Sequence, residues 1–440
     1  MLDVTSTQLN STQLSHLSPA GVATALTAIA SLSRDESVRD DDQVARLNHW
    51  GAYALLMMLA LAAGAKQYVG DPVNCWVPAQ FDEKWYNHYV NNYCWVHPLY
   101  KVPFSEPMPV EDAERWVTLT GFYRWVVVCF IFQALLFRLP RGIWHMAKWQ
   151  SGINVEKIVS MTMDTALADP KTRDEKLGHV AEFMHRWAST RKRPSHTGRA
   201  FQMRNYMDSM WKRSGYFLVG LYLFVKGLYL AVSILQFQVI SMFLDVNFWV
   251  FGPQVLSDTI FSSTPRISGR WLSEDAFPRM AICDFRLRQL SNVQVHSVQC
   301  VLPINIFLEK MYLVLWFFIT MLAIINLYSF MSWGMDLLSA RKTRHFLDKF
   351  AHVITPGKTP KNSEIRMFNS LARGYLKSDG IFLVKIIAAN ATDLLAADLL
   401  RQIWVRYKKY RNKQGRVPFL PEDGVDTPRD EYPMPPTLSS

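Results

Sequence analysis

The sequence contains few of the residues and motifs on which enzyme chemistry depends. It has no glycine-rich phosphate-binding loop, no nucleophile elbow and no His or Cys pair with the spacing of metal ligands. Only five cysteines occur in 440 residues, and none forms a CxxC motif. We therefore expect neither an enzyme nor a protein that holds a metal or another cofactor.

Charge is scarce in four long apolar segments, although the mean hydropathy of the whole chain is zero. About 20 helical residues cross a bilayer core of roughly 30 Å. Buried core helices of a soluble protein are the alternative, but such helices rarely stay apolar on all faces over this length. The sequence therefore predicts transmembrane helices at 49–68, 117–139, 214–244 and 302–333.

Lysine and arginine are scarce in two of the segments that connect the predicted helices. Residues 69–116 contain three and residues 245–301 contain five, whereas 138–213 contain 15 and the chain after Trp333 contains 18. Positive residues near a span favour the cytoplasmic side. We therefore predict a multi-pass plasma-membrane protein with both termini in the cytoplasm, extracellular loops at 69–116 and 245–301, a cytoplasmic loop at 140–213 and a cytoplasmic helical domain at 334–417.

The two ends of the chain lack the patterns of folded or cleaved segments. Residues 1–33 carry one charge, Asp3, and the first strong apolar block begins near residue 50, so a signal peptide is not expected. Residues 1–18 are Ser/Thr-rich and are predicted to form a disordered extension. Residues 418–440 are rich in proline and acidic residues, which predicts a disordered tail.

Four of the five cysteines fall in the predicted outer loops. Cys75 and Cys94 lie in the first loop and Cys283 and Cys300 in the second, while Cys129 lies inside the second predicted helix. An oxidising exterior favours two disulfides, for which spacing leaves three pairings open. The outer loops also contain no Asn-x-Ser/Thr glycosylation acceptor, which favours close contact with another protein.

Seven short motifs occur along the chain between residues 70 and 394. They are Gly70-Asp71-Pro72 with Cys75–Phe81, Asn92–Val96, Tyr123-Arg124-Trp125-Val126, Pro278-Arg279 with Cys283-Asp284-Phe285, Val298–Asn305, Glu309-Lys310, and Asp379-Gly380 through Asp393-Leu394. Together they resemble the motifs of the innexins, the invertebrate gap-junction proteins of the pannexin-like superfamily, and the resemblance spans roughly residues 20–410. The signature at the second predicted helix departs from the innexin pattern Tyr-Tyr-Gln-Trp-Val, because Phe122 replaces the first Tyr and Arg124 replaces the Gln.

The resemblance implies a fold and an assembly. The fold is an all-α polytopic membrane protein with four transmembrane helices, a disulfide-linked extracellular domain and a helical cytoplasmic dome. The implied pairings are Cys75 with Cys300 and Cys94 with Cys283. The implied assembly is a ring of this chain, with eight subunits around a large pore and other innexins as further ring partners. Two such rings dock through their outer loops to join adjacent cells.

The family also places a short N-terminal helix in the pore mouth, which residues 19–33 allow. No Asp, Glu, Lys or Arg occurs from Val4 to Ser33, so a helix here would line a pore without binding permeant ions tightly. A disordered tail is the alternative. The pore-lining candidates are Val22, Leu26 and Ile29 on one side of the helix and Thr24, Thr27 and Ser31 on another.

Charged residues at or within the predicted spans have two interpretations. Lys226 and Arg124 fall inside predicted helices, where ionisable groups are costly and frequently functional. We expect Lys226 to be satisfied by a neighbouring helix rather than to charge the pore, and Arg124 to reach outward. The acidic run Asp40–Asp42 indicates either an anion-repelling entrance or a solvated turn with a helix cap. Pro140 is predicted to end the second span.

The cytoplasmic segments show helical periodicity with mixed charge. The basic cluster Arg191-Lys192-Arg193 favours anionic lipids over nucleic acid because it lies beside a membrane. Interhelical hydrogen bonds are expected from Gln133, Gln236, Gln238 and Asn326. Helices are predicted within 153–187, 199–213, 336–352, 363–376 and 381–411.

Three functions follow from these observations. The first is a gap-junction channel subunit that passes ions and small solutes between adjacent cells. The second is an undocked hemichannel that releases small solutes such as ATP. The third, from another class, is a four-span adhesion or scaffold protein without a pore.

Overall fold

A computed structural model describes most of the chain between residues 40 and 413. The described ranges are 40–77, 84–102, 107–108, 115, 119–166, 168–190, 215–261, 277–354, 367–368 and 370–413. The predicted extension 1–18, the pore helix 19–33 with its six candidates, the helical segment 199–213 and the tail 418–440 therefore lie outside the described residues.

Four of the described helices are long and apolar enough to cross a membrane. Because they are apolar on nearly all faces, lipid and neighbouring protein can both cover them. The spans are helix α1 (Gln43–Tyr68, with a π-helical stretch at Leu47–Ala52), helix α3 (Val126–Lys148, followed by a 3₁₀ turn at Trp149–Ser151), helix α6 (Phe217–Leu244) and helix α8 (Pro303–Leu338).

Two predicted boundaries of the second span are wrong. The helix begins at Val126 rather than at residue 117, because Leu119–Thr120 pairs as a strand and Phe122–Arg124 forms a 3₁₀ turn. Pro140 does not end the helix but lies buried within it, and the helix continues to Lys148. The fourth span also runs five residues beyond the predicted residue 333, to Leu338.

Small residues allow the spans to pack closely. Ala52, Ala60 and Ala63 are buried on one face of α1, which packs against α3. The α6 helix packs against both α3 and α8 and is therefore the most enclosed span. Close approach of small residues provides van der Waals contact where lipid offers no hydrophobic driving force between helices.

The two loops predicted to be extracellular form one domain, called the outer domain below, that contains a five-stranded antiparallel sheet. The sheet is an exception to the all-α expectation within a mostly helical protein. The strand order is β1-β5-β4-β2-β3. The sequence carries the period-2 signal in Ala281, Cys283 and Phe285, which are all buried. The strands are β1 (Asn74–Cys75), β2 (Leu99–Tyr100), β3 (Leu119–Thr120), β4 (Met280–Gln289) and β5 (Asn292–Val301).

Two helices accompany the sheet. Helix α2 (Lys84–Val96) packs against β1 and β4. Helix α7 (Phe248–Phe261) follows the third span and packs against α8. At Gly252 the backbone lies so close to Trp316 that an added Cβ would meet the indole ring at 2.2 Å. Only glycine permits this approach.

The inner domain is helical throughout its described residues, as the sequence predicts. One buried apolar cluster joins its helices to the inner ends of α6 and α8. Asp379 connects this domain to the third span, because its Oδ1 accepts hydrogen bonds from the Leu218 and Val219 backbone amides at 3.0 and 3.3 Å. The helices are α4 (Val155–Met163), α5 (Pro170–Thr190), α9 (Ala340–Ile354), α10 (Lys377–Asn390, preceded by a π-helical turn at Leu371–Leu376) and α11 (Asp393–Lys413).

Candidate functional site

Two disulfides join the outer loops across the sheet. Cys75 is bonded to Cys300, and the two residues also face each other in the β1–β5 register. Cys94, near the end of α2, is bonded to Cys283 in β4. These are the pairs that the family resemblance implies. The first outer loop is therefore fixed to the second at a strand and at a helix.

The two bridges lie side by side in the core of the outer domain. The sulfur atoms of Cys75, Cys94 and Cys300 lie within 4.8 Å of one another, and all three residues are buried. A sulfur group of this kind binds metal only as thiolates. Since each sulfur here belongs to a disulfide, the cluster is a cross-link and not a metal site.

A hydrogen-bonded group around Asp284 binds the loops together beside the bridges. Tyr100 donates its hydroxyl to Asp284 Oδ1 at 2.8 Å, and Arg115 donates to Oδ2 at 2.9 Å. Burial, together with the neighbouring carboxylate, raises the pKa of Tyr100 well above its usual value. The phenol therefore stays protonated and remains a donor. Ser297 on β5 donates to the same carboxylate, which links both strands of the β4–β5 hairpin.

The family signature lies where the outer domain meets the second span. Tyr123 is fully buried, with its ring 5.3 Å from that of Trp95, and burial raises the pKa of its hydroxyl to about 12. Val126 is buried at the first turn of α3, while Trp125 is exposed. The signature anchors the start of the span to the second Cys-Trp motif.

The intramembrane position predicted for Arg124 is wrong. Arg124 lies in the 3₁₀ turn ahead of α3, and its guanidinium donates to the backbone oxygens of Val96 and Gly121. The side chain thereby links the carbonyl at the end of α2 to the turn, whose Gly121 oxygen also accepts the Arg124 backbone amide at 3.4 Å. Nothing in the local sequence separates this turn from the apolar run that follows it.

At the inner end of the bundle, Asp42 and Lys226 form an ion pair. Lys226 Nζ lies 2.5 Å from Asp42 Oδ1 and donates to Ser329 Oγ at 2.9 Å. Asp42 also caps α1 by accepting the Ala45 amide at 3.1 Å. The expectation that neighbouring groups satisfy Lys226 agrees with this geometry, which connects α1, α6 and α8.

The helix cap is the one interpretation of the acidic run that the structure confirms, because Asp42 caps α1. Asp40 is completely buried and accepts from Lys148 Nζ at 2.8 Å and from Trp144 Nε1 at 3.0 Å. Arg141 donates to Asp41. The run is neither a solvated turn nor an exposed ring of acid, since these carboxylates are neutralised by bases of α3 and α6.

The sequence did not reveal the partners of this acidic run, although it contains both the acids and the bases. Three acids precede the first span, and Arg141 and Lys148 follow the middle of the second. Antiparallel neighbouring spans bring those ends together. The prediction that Pro140 ends the helix excludes this pairing, because both bases lie beyond Pro140 in the same helix.

A second polar group ties the spans together in the bundle interior. Asn48 and Asn326 exchange amide hydrogen bonds at 2.6 and 2.8 Å, and Asn326 also donates to Ser233 Oγ at 2.7 Å. Gln236 donates to the Gln133 backbone oxygen at 3.4 Å. Asn326 and Gln236 therefore form interhelical hydrogen bonds as expected, whereas the Gln133 side chain donates to Cys129 Sγ of its own helix and Gln238 lies on an exposed face.

Comparisons with known proteins agree with this architecture. The Innexin family model matches residues 41–407. Innexin unc-9 of Caenorhabditis elegans is 34% identical over 379 residues, which cover 86% of this chain and 94% of that protein. Innexin-19 of Caenorhabditis briggsae is 31% identical over 396 residues (85% and 88%), and Innexin-10 of C. elegans is 30% identical over 406 residues (90% and 69%). A family match across most of the chain, four spans and two bridges between the outer loops lead to one conclusion: the chain belongs to the innexin family.

Proposed function

We propose that this chain is a pore-forming subunit of gap-junction channels that pass ions and small solutes between adjacent cells. The observation that carries the proposal is the outer domain, in which two disulfides and a sheet fix both loops into one body. Fixing two long loops lowers the entropy lost when they contact a partner. A preorganised outer face suits docking to the ring of a neighbouring cell.

The β4–β5 hairpin offers a surface for that contact. Leu290 at its two-residue turn is fully exposed, and Val293 and Val295 are more than half exposed. Apolar side chains clustered on a protruding surface commonly mark protein interaction sites. Because the outer loops contain no glycosylation acceptor, no sugar would cover the hairpin.

The proposed ring contains eight copies of the chain, with other innexins as alternative subunits. The outward faces of the spans carry large apolar side chains, among them Phe132, Leu135 and Met321, which lipid and neighbouring subunits would cover. In this arrangement residues 19–33 form the helix at the pore mouth, with Val22, Thr24, Leu26, Thr27, Ile29 and Ser31 as its lining candidates. Neutral side chains there suit passive diffusion of many solutes.

The proposed orientation places both termini in the cytoplasm of a plasma-membrane junction. The Lys/Arg bias supports it, since 138–213 and the chain after Trp333 contain most of the positive residues. An epitope tag inserted between Leu290 and Ser291 should be labelled on intact cells. A tag appended after Ser440 should be labelled only after permeabilisation, and the reverse pattern would contradict the orientation.

Paired expressing cells provide the test of function. We expect junctional current and transfer of a small dye between two cells that both express the chain. Current in single cells without transfer between pairs would instead support the hemichannel. Normal surface delivery with neither signal would contradict a pore and leave the adhesion protein. The double variant C94S/C283S should abolish transfer, whereas C129S, in the second span, should retain it.

A further inference from the structure

A cavity of about 440 Å³ lies between the inner end of α8 and helices α9 and α10. It adjoins the Asp42–Lys226 pair, because Trp333 in its lining donates to Asp42 Oδ2 at 3.3 Å, but none of its bases belongs to that pair. Its lining combines bases with two aromatic rings and one acid. The lining residues are Trp333, Asp336, Lys342, His345, Phe346, Lys349 and Lys385.

The cavity lies at the depth of the inner lipid headgroups. No charged residue occurs between Lys310 and Asp336, a helical stretch of about 37 Å at 1.5 Å per residue. This length slightly exceeds a hydrocarbon core of roughly 30 Å. Trp333 therefore falls in the interfacial zone where tryptophan is enriched, and the cavity opens just beyond it.

One face of α9 supplies most of the bases. Lys342, His345 and Lys349 follow the helical spacing i, i+3, i+7 and so lie on the same side. Lys342 pairs with Asp336 at 3.0 Å and Lys349 pairs with Asp393 at 2.6 Å, but all four side chains are about half exposed. Exposed pairs of this kind contribute little and exchange readily for a stronger anion.

Lys385 approaches the same cavity from α10 and is buried. Its Nζ donates to the backbone oxygen of Asp336 at 2.8 Å and lies 5.2 Å from the centre of the Phe346 ring. A carbonyl dipole and an aromatic face orient the ammonium without neutralising it. Burial lowers the pKa of Lys385 and outweighs the attraction of the Asp336 carboxylate. A bound anion would stabilise the charged ammonium.

We propose that this cavity binds a phosphate monoester at the cytoplasmic face of the membrane. The dianion would lie among Lys342, Lys349 and Lys385, where charge-assisted hydrogen bonds to phosphate are strong. The volume is within the range of small-ligand sites. Two sources carry this chemistry: the headgroup of a phosphorylated inositol lipid, whose chains would follow the exposed apolar surface at Met335 and Leu338, and a free phosphorylated solute.

Binding in this cavity would affect the junction between the fourth span and the helices that follow it. The α8 helix ends at Leu338 and α9 begins at Ala340, so only Ser339 separates them. A ligand packed against Trp333 on one side and bound by the bases of α9 and α10 on the other would fix the angle between these elements. The site is thus suited to regulation of the fourth span by the inner leaflet or by the cytosol.

The test measures binding to the detergent-solubilised full-length chain by fluorescence polarisation of labelled dioctanoyl phosphatidylinositol 4,5-bisphosphate. We expect the variant K342Q/K349Q to weaken binding at least tenfold. The matched control R341Q/R344Q removes two charges from the same helix at exposed positions outside the cavity lining and should bind within twofold of the wild type. A second variant, K385M, tests the buried base, and thermal melting establishes that each variant is folded.

Competition distinguishes the two sources of phosphate. Displacement of the probe by inositol 1,4,5-trisphosphate as well as by unlabelled lipid supports a site for free phosphorylated solutes. Displacement by the lipid alone supports a headgroup site that requires acyl chains. Equal affinity in wild type and K342Q/K349Q, or equal loss in R341Q/R344Q, would overturn the proposal, because binding would then reflect general attraction to a basic surface.

Discussion

Asp42 and Lys226 meet at the inner end of the bundle, where the residue that caps the first span forms an ion pair with the third span. The pair ties Asp42 to α6 and, through Ser329, to α8.

We expect K226M to destabilise the protein by about 3–5 kcal/mol, because it leaves the Asp42 carboxylate without its buried partner. The double variant D42N/K226M should recover part of this loss, since no unpaired charge remains. The measurement is thermal or chemical unfolding of the purified protein in detergent. As a control, R186Q alters an ion pair whose arginine is 77% exposed and should cost less than about 1 kcal/mol. Equal costs for K226M and R186Q would refute the buried pair.

Loss of one bridge should weaken the outer domain without disturbing the inner one. We expect C75S/C300S to cost about 2–5 kcal/mol, the usual range for a native disulfide that closes a long loop. Hydrogen exchange should rise in β1 and β5 and stay unchanged in α10 and α11. C129S is the control, since Cys129 is a free cysteine in α3. An unchanged β5 in the double variant would contradict the role assigned to this bridge.

Gly252 should not tolerate alanine. The new Cβ would meet the Trp316 ring at 2.2 Å, so α7 or α8 must shift, at a cost of about 1–3 kcal/mol or more. G220A is the matched control within a helix, because nothing lies within 4 Å of the position of its Cβ. Melting temperatures of the two variants provide the comparison, and a harmless G252A would show that the helices are not in the described contact.

Acid should loosen the contact between α5 and the turn at Leu371–Leu376. Burial lowers the pKa of His185, whose ring forms a hydrogen bond with the Tyr375 hydroxyl. The unfolded chain then binds the proton more readily, so stability is complete above the ordinary value of 6.5 and falls as the pH drops below it. Hydrogen exchange at pH 7.5 and 5.5 measures this change.

The variant H185Q separates this effect from other titrations. Glu182 also has a lowered pKa, through its hydrogen bond with Arg186, but its contribution is lost only as the pH falls below the carboxylate value of 4.5. H185Q should therefore flatten the exchange difference between pH 7.5 and 5.5. A difference that persists in H185Q would assign the pH effect to another group.

The spans were predictable because long apolar runs carry their own signal, but their ends were not. The start of α3 depends on Leu119 and Thr120 pairing with Tyr100 and Leu99, a contact between segments that sequence windows do not join. The helix continues past Pro140 because Trp144 and Lys148 lie in the next two turns. Their buried hydrogen bonds to Asp40 stabilise this part of the helix. Local propensity gave way to tertiary contact in both places.

In the outer sheet, too, local sequence and long-range contacts each determine part of the structure. The alternation in β4 is typical of a strand, and its partner β5 follows in the same loop, but its other neighbour, β2, comes from the first outer loop. The cavity at the end of α8 was likewise not predictable, since Lys385 and Lys342 lie on different helices and each appears ordinary in its own segment. Long-range partners decided the start of α3, the order of the sheet strands and the lining of the cavity.

The bond between Cys75 and Cys300 has a consequence for biosynthesis, because the two residues are 225 positions apart. The second and third spans must be synthesised before the cysteines of the first outer loop can pair with those of the second. During that interval Cys75 and Cys94 would both be free thiols and could form a disulfide with each other. Maturation of this protein therefore favours a thiol–disulfide exchange catalyst, and a chain truncated before Cys283 would leave Cys75 and Cys94 without their partners.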